Sequence, residues 1–378
     1  MKVAIIVGTR PEIIKMAPVI RAAQKKRGVT LLLWHTGQHY SYEMDRQIFT
    51  DLELPEPDNN LHVGSGSHAN QTAKVMIMLE ELMVEKRPDI VLVLGDTNTV
   101  LGASLAAAKL HIAVGHIEAG LRSYDRTMPE EINRIACDHI ADILYPPTAD
   151  ACATLEREGI ATQKIVVTGN TVVDAVWQSL ELAQTKSTVL SKLSGKPYIF
   201  FTMHRAENVD DRQKLTNVLR ALEKILDEHK GIEIVWAVHP RTQKQLEVFR
   251  LADKVTGMSR ITTMQPQGYL DTLLLQSNAL VIMTDSGGMQ EEACILGVPC
   301  ITLRENTERP ESVAVGANEL VGTSVERITT AANRRIKQKL PMSWSNPFGE
   351  GVAGSRIVAD VHKRFTKSAD RPELQHHA

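Results

Sequence analysis

The first twelve residues, MKVAIIVGTRPE (1–12), have the pattern of a strand, a turn and the start of a helix. Residues 3–7 are apolar and mostly β-branched, which is typical of a buried strand. Gly8 interrupts the run, and Pro11 favours the first turn of a helix, which apolar spacing extends over 11–26. A strand that leads directly into a helix is the repeating unit of α/β folds.

The same unit recurs along the whole chain. Strand candidates of the first half are residues 3–7, 31–35, 90–94, 112–117, 140–145 and 165–167, and those of the second half are 198–202, 232–238, 261–264, 279–283 and 300–303. Helical periodicity separates these runs, as in a parallel sheet wrapped by crossover helices. We therefore predict an α/β protein with two Rossmann-like, doubly wound parallel-sheet domains.

The two predicted domains meet in a turn-rich segment, TGNT (168–171), after a strand candidate. The boundaries are 1–170 for the N-terminal Rossmann-like domain and 171–357 for the C-terminal one. A last helix is predicted over 353–365, and we expect the segment of about 358–378 to pack back on the first domain. The polar residues 367–378 are expected to fray.

Charge and composition exclude several classes of protein. The chain has 43 Lys and Arg residues against 45 Asp and Glu residues, so its formal net charge of −2 predicts neither a nucleic-acid nor a membrane partner. No window approaches the roughly 18 consecutive apolar residues of a membrane span, and the first apolar run is too short for a signal peptide. We expect a cytoplasmic protein whose four cysteines are buried thiols.

Loops after strands hold the ligand in open α/β sheets, because ligands bind beyond the carboxyl ends of the strands. In the first such loop, Arg10 lies at the strand-to-helix turn, and Lys15 follows within the helix. A guanidinium beside free helix N–H groups is a good anion site, whereas solvated surface positions are an equally open interpretation. The G-x-G-x-x-G fingerprint is absent here, which disfavours a dinucleotide oxidoreductase.

The segment TDSGG (284–288) follows a strand candidate of the second half and precedes a helix predicted over 289–296. Its two glycines allow the backbone to approach an anion closely, and the Ser286 hydroxyl adds a donor, which suits a diphosphate. Glu292 lies about one helical turn further on and is a candidate ligand of ribose hydroxyls. Its alternative role, shared by Glu291, is to stabilise the first helical turn with a carboxylate.

Three carboxylates follow strand candidates of the first half, namely Asp96, Glu118 and Glu130. Asp96 and Glu118 come directly after their strands. Glu130 opens a helix predicted over 131–141, so helix capping explains Glu130 or its neighbour Glu131 as well as catalysis does. Carboxylates crowded into one place raise one another's pKa, which can make a general acid and a general base from one residue type.

Two histidines, His204 and His239, follow strand candidates of the second half, each beside an arginine, Arg205 or Arg241. This arrangement favours a site for a negatively charged ligand over single structural histidines. No set of His, Cys and carboxylate residues has the spacing of a zinc site, so we predict no metal. Together, these features predict that the ligand is a nucleotide bearing a further group.

Seven motifs resemble those of the non-hydrolysing UDP-N-acetylglucosamine 2-epimerases: GTRPEIIK (8–15), GDT (95–97), HIEAGLR (116–122), PEEINR (129–134), HRAEN (204–208), TDSGGMQEE (284–292) and TERPE (307–311). They occur in order over almost the whole chain, up to NPFG (346–349) and SRI (355–357). Chance can produce one of these motifs, but not the set.

This resemblance implies the GT-B architecture, with the active site in the cleft between two Rossmann-like domains, and a homodimer. It implies that the UDP-sugars UDP-GlcNAc and UDP-ManNAc are interconverted, for surface polysaccharides, by an enzyme that needs no cofactor and no metal. The matching positions imply catalysis by Asp96, Glu118, Glu130 and His204, and binding of the UDP-sugar by Arg10, Lys15, Arg205, Ser286, Gly287, Gly288 and Glu292.

Elimination explains why these residue types are needed. The C2 hydrogen of the sugar is not next to a carbonyl, so a carboxylate takes the C2 proton while the C1–O bond to UDP breaks. This step gives a 2-acetamidoglucal and UDP, and readdition after protonation from the other face inverts C2. Charge develops on the departing diphosphate, where cations and N–H groups stabilise it.

Other activities stay open at this point. A hydrolysing epimerase would release ManNAc and UDP, although Thr9 and Glu12 in the first motif favour the non-hydrolysing branch. An epimerase of a UDP-diacetamido-uronic acid is a further alternative, because no residue identifies the substituents at C3 and C6. A retaining GT-B glycosyltransferase, or a nucleotide-binding module without activity, would leave the three carboxylates of the first half unexplained.

One motif departs from the family's pattern. Bacterial members bind a second UDP-GlcNAc as an activator, partly through glutamines after a Gly-Gln-His motif. Here GQH (37–39) is followed by YSYEM (40–44), without those glutamines. The activator site is therefore not carried over, although Gln71 and His239 are candidates for it.

Overall fold

Two six-stranded parallel sheets organise the chain, and the computed structural model describes residues 1–38, 42–338 and 344–368. The first sheet has the strand order β3-β2-β1-β4-β5-β6. Its strands are β1 (Lys2–Val7), β2 (Thr30–His35), β3 (Asn59–Asn60), β4 (Ile90–Leu94), β5 (Ala113–Ile117) and β6 (Ile143–Tyr145). The order reverses between β1 and β4, and ligands of doubly wound folds bind at such a reversal.

The second sheet repeats this topology, with the order β12-β11-β10-β7-β8-β9 and its reversal between β7 and β10. Its strands are β7 (Tyr198–Thr202), β8 (Glu233–Ala237), β9 (Ile261–Met264), β10 (Val281–Thr284), β11 (Cys300–Thr302) and β12 (Asn318–Leu320). The predicted pair of doubly wound parallel-sheet domains is therefore confirmed.

Helices cover both sheets. Those from the N-terminus to the start of the second sheet are α1 (Arg10–Lys25), α2 (Tyr42–Asp51), α3 (His68–Lys86), α4 (Asn98–Lys109), α5 (Pro129–Ile140), α6 (Ala149–Arg157) and α7 (Thr171–Lys186). The others are α8 (Ala206–Val209), α9 (Arg212–Glu228), α10 (Pro240–Val248), α11 (Ala252–Thr256), α12 (Tyr269–Ser277), α13 (Gly287–Leu296), α14 (Pro310–Ala314), α15 (Val325–Ile336) and α16 (Ala353–Ser368).

Each sheet has a buried apolar core of its own. Trp34 and Val91 lie in the core of the first sheet, and Phe201 and Trp236 lie in that of the second, with ring centroids 4.7 Å apart. The strands that provide these side chains are the apolar runs of the sequence, because a parallel sheet is covered on both faces.

The strand predictions differ from the structure in several places, of which two concern predicted strands and two concern strands that were not predicted. Residues 165–167 form no strand, and only an isolated bridge joins Ile165 to Leu144. The predicted strand over 140–145 is shorter, because α5 continues to Ile140. The structure adds the edge strands β3 and β12, which are two and three residues long and contain Asn or Glu in place of an apolar run.

The chain divides into two compact units, one of Met1–Trp177 with Phe348–Ala378 and the other of Gln178–Pro347. The sequence-based boundaries were near residues 170 and 357. Within the first unit, α16 packs on α1 so closely that a Cβ on Gly354 would lie 2.7 Å from the backbone of Pro18. Of the predicted frayed tail, residues 369–378 lie outside the described residues, as do residues 39–41 next to the Gly-Gln-His motif.

No helix within the described ranges is long and apolar enough to cross a membrane. The four cysteines are free thiols. Cys137, Cys294 and Cys300 are buried as predicted, whereas Cys152 is only half-buried.

Candidate active site

The turn between β1 and α1 is held by a buried carboxylate. Glu12 accepts hydrogen bonds from the backbone N–H groups of Gly8, at 2.5 Å, and Thr9, at 2.9 Å, and from the Thr97 hydroxyl, at 2.5 Å. Burial raises the pKa of Glu12 to about 7, although these donors act in the opposite direction. Because Thr97 follows β4, Glu12 joins the two loops at the strand-order reversal of the first sheet.

Only glycine fits at the end of β1. A Cβ on Gly8 would lie 2.2 Å from Oγ1 of Thr99 and 2.5 Å from Oγ1 of Thr36. Two residues after Gly8, Arg10 begins α1, and its side chain is half-buried. Among the described residues, its guanidinium has no hydrogen-bond or ion-pair partner, so its donors are available to a ligand at the helix N-terminus.

Lys15 and Glu118 form an ion pair, with the lysine Nζ 2.7 Å from Oε1 of the carboxylate. Both side chains are largely buried. Glu118 has a backbone φ of 63°, which is uncommon for a residue other than glycine. A backbone of this kind persists where the surrounding structure enforces it, and such positions concentrate at functional sites.

Asp96 and Glu118 leave neighbouring parallel strands at the same edge of the sheet, because β4 pairs with β5 up to Leu94 and Ile117. Arg134 of α5 forms an ion pair with Asp96, and the Asn133 side chain donates to the Asp96 carbonyl at 2.9 Å. The structure thus places Asp96, Glu118 and their cationic partners at the carboxyl end of the first sheet.

The neighbours Glu130 and Glu131 differ in their environments. Both lie in the first turn of α5, which begins at Pro129. Glu131 is buried and accepts from the backbone N–H groups of Ser123 and Tyr124 and from Arg134. Burial alone would raise the pKa of Glu131, but these donors outweigh it and lower that pKa.

Glu130 is half-buried and has no hydrogen-bond or ion-pair partner in the part of the chain that the structure describes. The structural role that the sequence left open between the two residues therefore belongs to Glu131. Glu130 is left with a carboxylate that can act on a ligand.

In the second unit, Asp285 at the end of β10 organises the loop after β7. Its buried carboxylate accepts from the backbone N–H groups of His204, at 3.0 Å, and Arg205, at 2.9 Å, and from the Asn208 side chain, at 3.2 Å. The His204 ring points the same way, with Nδ1 3.3 Å from Oδ1 of Asp285. His204 therefore lies at the strand-order reversal of the second sheet, with about a third of its side chain exposed.

Of the groups that the sequence predicted beside His204, the structure brings only some close to its ring. The His239 ring lies beside it, with centroids 5.2 Å apart, and burial together with the charge of His204 lowers the pKa of His239. Arg205 Nη2 lies 3.8 Å from Oε2 of Glu308. Arg241 is exposed and forms an ion pair with Asp210.

The glycine loop begins α13 two residues earlier than predicted, at Gly287. A Cβ on Gly288 would meet no atom within 4 Å, so open space adjoins the backbone there. Because of the earlier start, Glu291 and Glu292 lie in the second turn, and stabilisation of the first turn is wrong as an explanation for them. Glu291 is buried against Arg309, and Glu292 accepts from Nε2 of Gln276 at 2.6 Å.

Sequence reasoning missed a buried polar cluster behind the carboxylates. His116, in β5, lies between the carbonyl of Gly95 and the carboxylate of Asp138, and Arg122 also contacts that carboxylate. The available sequence signal was a histidine at a buried position of a strand and an aspartate at a buried position of a helix, because buried charges require partners. Among the described residues, no group of three His, Cys, Asp or Glu side chains is arranged to hold a metal ion.

The sequence of this chain is similar to those of known proteins. A family model described as UDP-N-acetylglucosamine 2-epimerase matches residues 21–362. The UDP-N-acetylglucosamine 2-epimerase of Methanocaldococcus jannaschii is 49% identical over 362 residues, which are 95% of this chain and 98% of the relative. The UDP-2,3-diacetamido-2,3-dideoxy-D-glucuronate 2-epimerase of Pseudomonas aeruginosa is 38% identical, covering 96% of this chain and 100% of the relative.

Solved structures agree with this similarity. The M. jannaschii UDP-GlcNAc 2-epimerase in complex with UDP-GlcNAc and UDP has a TM-score of 0.82 and 49% identity, covering 96% of this chain and 100% of that one. The lipopolysaccharide outer core galactosyltransferase WaaB has a TM-score of 0.56 at 16% identity, covering 96% of this chain and 100% of that one, which shows a shared fold alone.

Proposed function

The chain belongs to the UDP-N-acetylglucosamine 2-epimerase family, and from that premise we propose that it interconverts UDP-GlcNAc and UDP-ManNAc without hydrolysis. The observation that carries this proposal is the arrangement of Glu118, paired with Lys15, beside Asp96 at the end of two neighbouring strands. Inversion at C2 requires proton removal on one face of the sugar and proton delivery on the other, and more than one carboxylate supplies both.

The proposed reaction is an elimination followed by an addition. One carboxylate among Asp96, Glu118 and Glu130 takes the C2 proton, the electron pair of that bond forms the C1–C2 double bond, and the C1–O bond breaks toward UDP. A proton then adds to the opposite face of C2 and the UDP oxygen adds back to C1, which completes the inversion. A proton and UDP leave the sugar in the first step, and a proton and UDP are added back in the second, so the steps balance and no cofactor is consumed.

Stabilisation of the departing diphosphate is assigned to groups with available donors. Arg10 has a guanidinium without a partner among the described residues, and His204 and the backbone at Gly288 are open to a ligand. Preorganised donors aimed at developing negative charge are an effective source of catalysis. Lys15, Arg205, Ser286 and Gly287 complete the proposed UDP-binding set, and Glu292 is proposed to hold the ribose hydroxyls.

A second candidate substrate, a UDP-diacetamido-uronic acid, is supported by the 38% identity with the P. aeruginosa relative. No described residue in the carboxylate set distinguishes a C6 carboxylate from a C6 hydroxyl. We therefore propose UDP-GlcNAc as the substrate because the more similar relative acts on it. We also propose a homodimer, which sedimentation equilibrium tests directly.

The deciding experiment is incubation of the purified protein with UDP-GlcNAc in heavy water, with EDTA and without NAD, followed by proton NMR. UDP-ManNAc that carries deuterium at C2 supports the proposal. Free ManNAc with UDP supports the hydrolysing reaction instead. No change of UDP-GlcNAc, together with turnover of a UDP-diacetamido-uronic acid added in parallel, supports the second substrate.

A further inference from the structure

His116 is enclosed by hydrogen-bond acceptors on both sides of its ring. Its Nδ1 lies 2.7 Å from Oδ1 of Asp138, and its Nε2 lies 2.8 Å from the carbonyl oxygen of Gly95. The side chains of His116 and Asp138 are about 1% and 0% exposed, so water does not complete either interaction.

These contacts decide the protonation state of the ring. A carbonyl oxygen only accepts hydrogen bonds, so Nε2 must carry a proton. Oδ2 of Asp138 accepts from the backbone N–H of Gly120 at 3.1 Å and forms an ion pair with Nη1 of Arg122 at 2.7 Å, which keeps the carboxylate ionised. An ionised carboxylate also only accepts, so Nδ1 must carry the second proton.

We propose that His116 is a positioning residue, held as a buried imidazolium that ties the turn carrying Asp96 to the turn carrying Glu118. Gly95 directly precedes Asp96, and His116 precedes Glu118 by two residues. The imidazolium therefore joins the ends of β4 and β5 through one rigid ring. The inference rests on the proposed function, in which Asp96 and Glu118 act on the sugar.

Both turns contain a left-handed backbone, with a φ of 86° at Gly95 and 63° at Glu118. Glycine adopts this backbone without strain, but Glu118 does not, so the turn that carries Glu118 relaxes unless neighbouring groups hold it. The hydrogen bond from Nε2 of His116 to the Gly95 carbonyl holds the turn after β4. The hydrogen bond from the Gly120 N–H to Asp138 holds the turn after β5, on the other side of Glu118 in the chain. This arrangement explains why a charged histidine occupies a core position of β5.

The charged groups around the ring explain how it keeps its proton. Asp138 faces it from α5, and Asp96 acts on it from the loop after β4. Arg122 opposes it from the loop after β5, but Arg122 is itself paired with Glu158, at 2.6 Å, after α6. Glu118 and Asp96 are paired in turn with Lys15 and Arg134. Burial lowers the pKa of His116, and Asp138 reverses that shift and raises it.

Direct evidence comes from NMR of protein labelled with ¹⁵N-histidine. The His116 signals are identified by their loss in His116→Gln, and long-range ¹H–¹⁵N correlations report whether each ring nitrogen carries a proton. We expect both nitrogens to be protonated at about pH 7.5, well above the ordinary histidine pKa of about 6.5. One bare nitrogen at that pH overturns the proposal.

A second variant keeps the test decisive even where His116→Gln does not fold. In Asp138→Asn the side-chain amide can donate to Nδ1, so the ring is expected to become neutral with its proton on Nε2. Retention of a doubly protonated ring in Asp138→Asn, measured with urea unfolding as a check of folding, contradicts the assignment of Asp138 as the group that holds the charge.

Kinetics test the positioning role. We expect His116→Gln to lower kcat about 10- to 100-fold, because small displacements of reacting groups are costly, with KM and UDP affinity nearly unchanged. The matched control is His111→Asn, an exposed position of positive φ just before β5, where full activity is expected. An unchanged kcat in His116→Gln overturns the positioning role. Failure of the proposed function shows itself differently, as absence of wild-type turnover, and the NMR result does not depend on it.

Discussion

Lys15 Nζ lies 2.7 Å from Oε1 of Glu118, although 103 residues separate the two in the chain. The contact arises because α1 follows β1, whereas Glu118 follows β5, and β4 pairs with both strands. The ammonium group fixes the direction of a carboxylate that we propose as a candidate for taking the carbon-bound proton.

Loss of the paired carboxylate should remove turnover and leave nucleotide binding in place. We expect Glu118→Gln to lower kcat by roughly 10²–10⁴-fold, the usual effect of losing a proton-transfer group, and Asp96→Asn to act similarly. Titration calorimetry with UDP measures the retained affinity. Glu156→Gln, on the exposed side of α6, is the control. Wild-type turnover in both Glu118→Gln and Asp96→Asn would remove these residues from the reaction.

Substitution of Glu131 should affect stability, whereas substitution of Glu130 should affect catalysis. Glu131→Gln loses charge-assisted bonds with Ser123, Tyr124 and Arg134, so we expect the free energy of unfolding to fall by about 1–3 kcal/mol. Glu130→Gln should change that free energy by less than about 0.5 kcal/mol, as surface substitutions do, and lower kcat strongly. Urea unfolding and NMR turnover assays of the two variants measure both quantities. The opposite pattern would exchange the two roles.

Glu12 should make stability depend on pH. Because burial raises the pKa of Glu12 from 4.5 to about 7, the folded protein holds a proton there that the unfolded chain releases between these values. Its contribution is therefore complete below pH 4.5 and falls by about 3 kcal/mol as the pH rises to about 7.

The comparison variant is Glu12→Gln, whose amide retains an oxygen for the Gly8 and Thr9 N–H groups. Relative to wild type, we expect its free energy of unfolding to increase between about pH 5 and pH 8, as measured by urea titration. Glu80→Gln, exposed on α3, should show no such trend. A difference between wild type and Glu12→Gln that is constant with pH would contradict the raised pKa.

Glu292 should contribute to binding more than to the chemical step. We expect Glu292→Ala to weaken UDP affinity roughly 10- to 100-fold, because the ribose hydroxyls would lose a charged acceptor and one such hydrogen bond is worth roughly 1.5–3 kcal/mol. Calorimetry with UDP and with 2′-deoxy-UDP isolates the contribution of a ribose hydroxyl. Glu326→Ala, exposed on α15, serves as the control. Equal UDP affinities of wild type and Glu292→Ala would exclude the ribose role.

The sequence alone was sufficient for the repeating α/β fold. Strands such as β4 and β7 are continuous apolar runs, and Gly8 with Pro11 marks the end of a strand and the start of a helix. The edge strands β3 and β12 could not be predicted, because their pairing partners and not their own composition make them strands. The start of α13 was misplaced because glycine has a poor propensity for helix interiors, whereas Gly287 and Gly288 occupy the first turn of this helix.

The sequence also determined which loops carry the candidate chemistry, since Asp96, Glu118 and His204 all follow strands that periodicity identifies. Only the tertiary structure decided which charges meet. It paired Glu118 with Lys15, assigned Glu131 to the α5 turn and left Glu130 without a partner among the described residues, and placed Asp138 against His116. The physical reason is that hydrophobic periodicity is local along the chain, whereas an ion pair depends on the crossing of segments far apart in sequence.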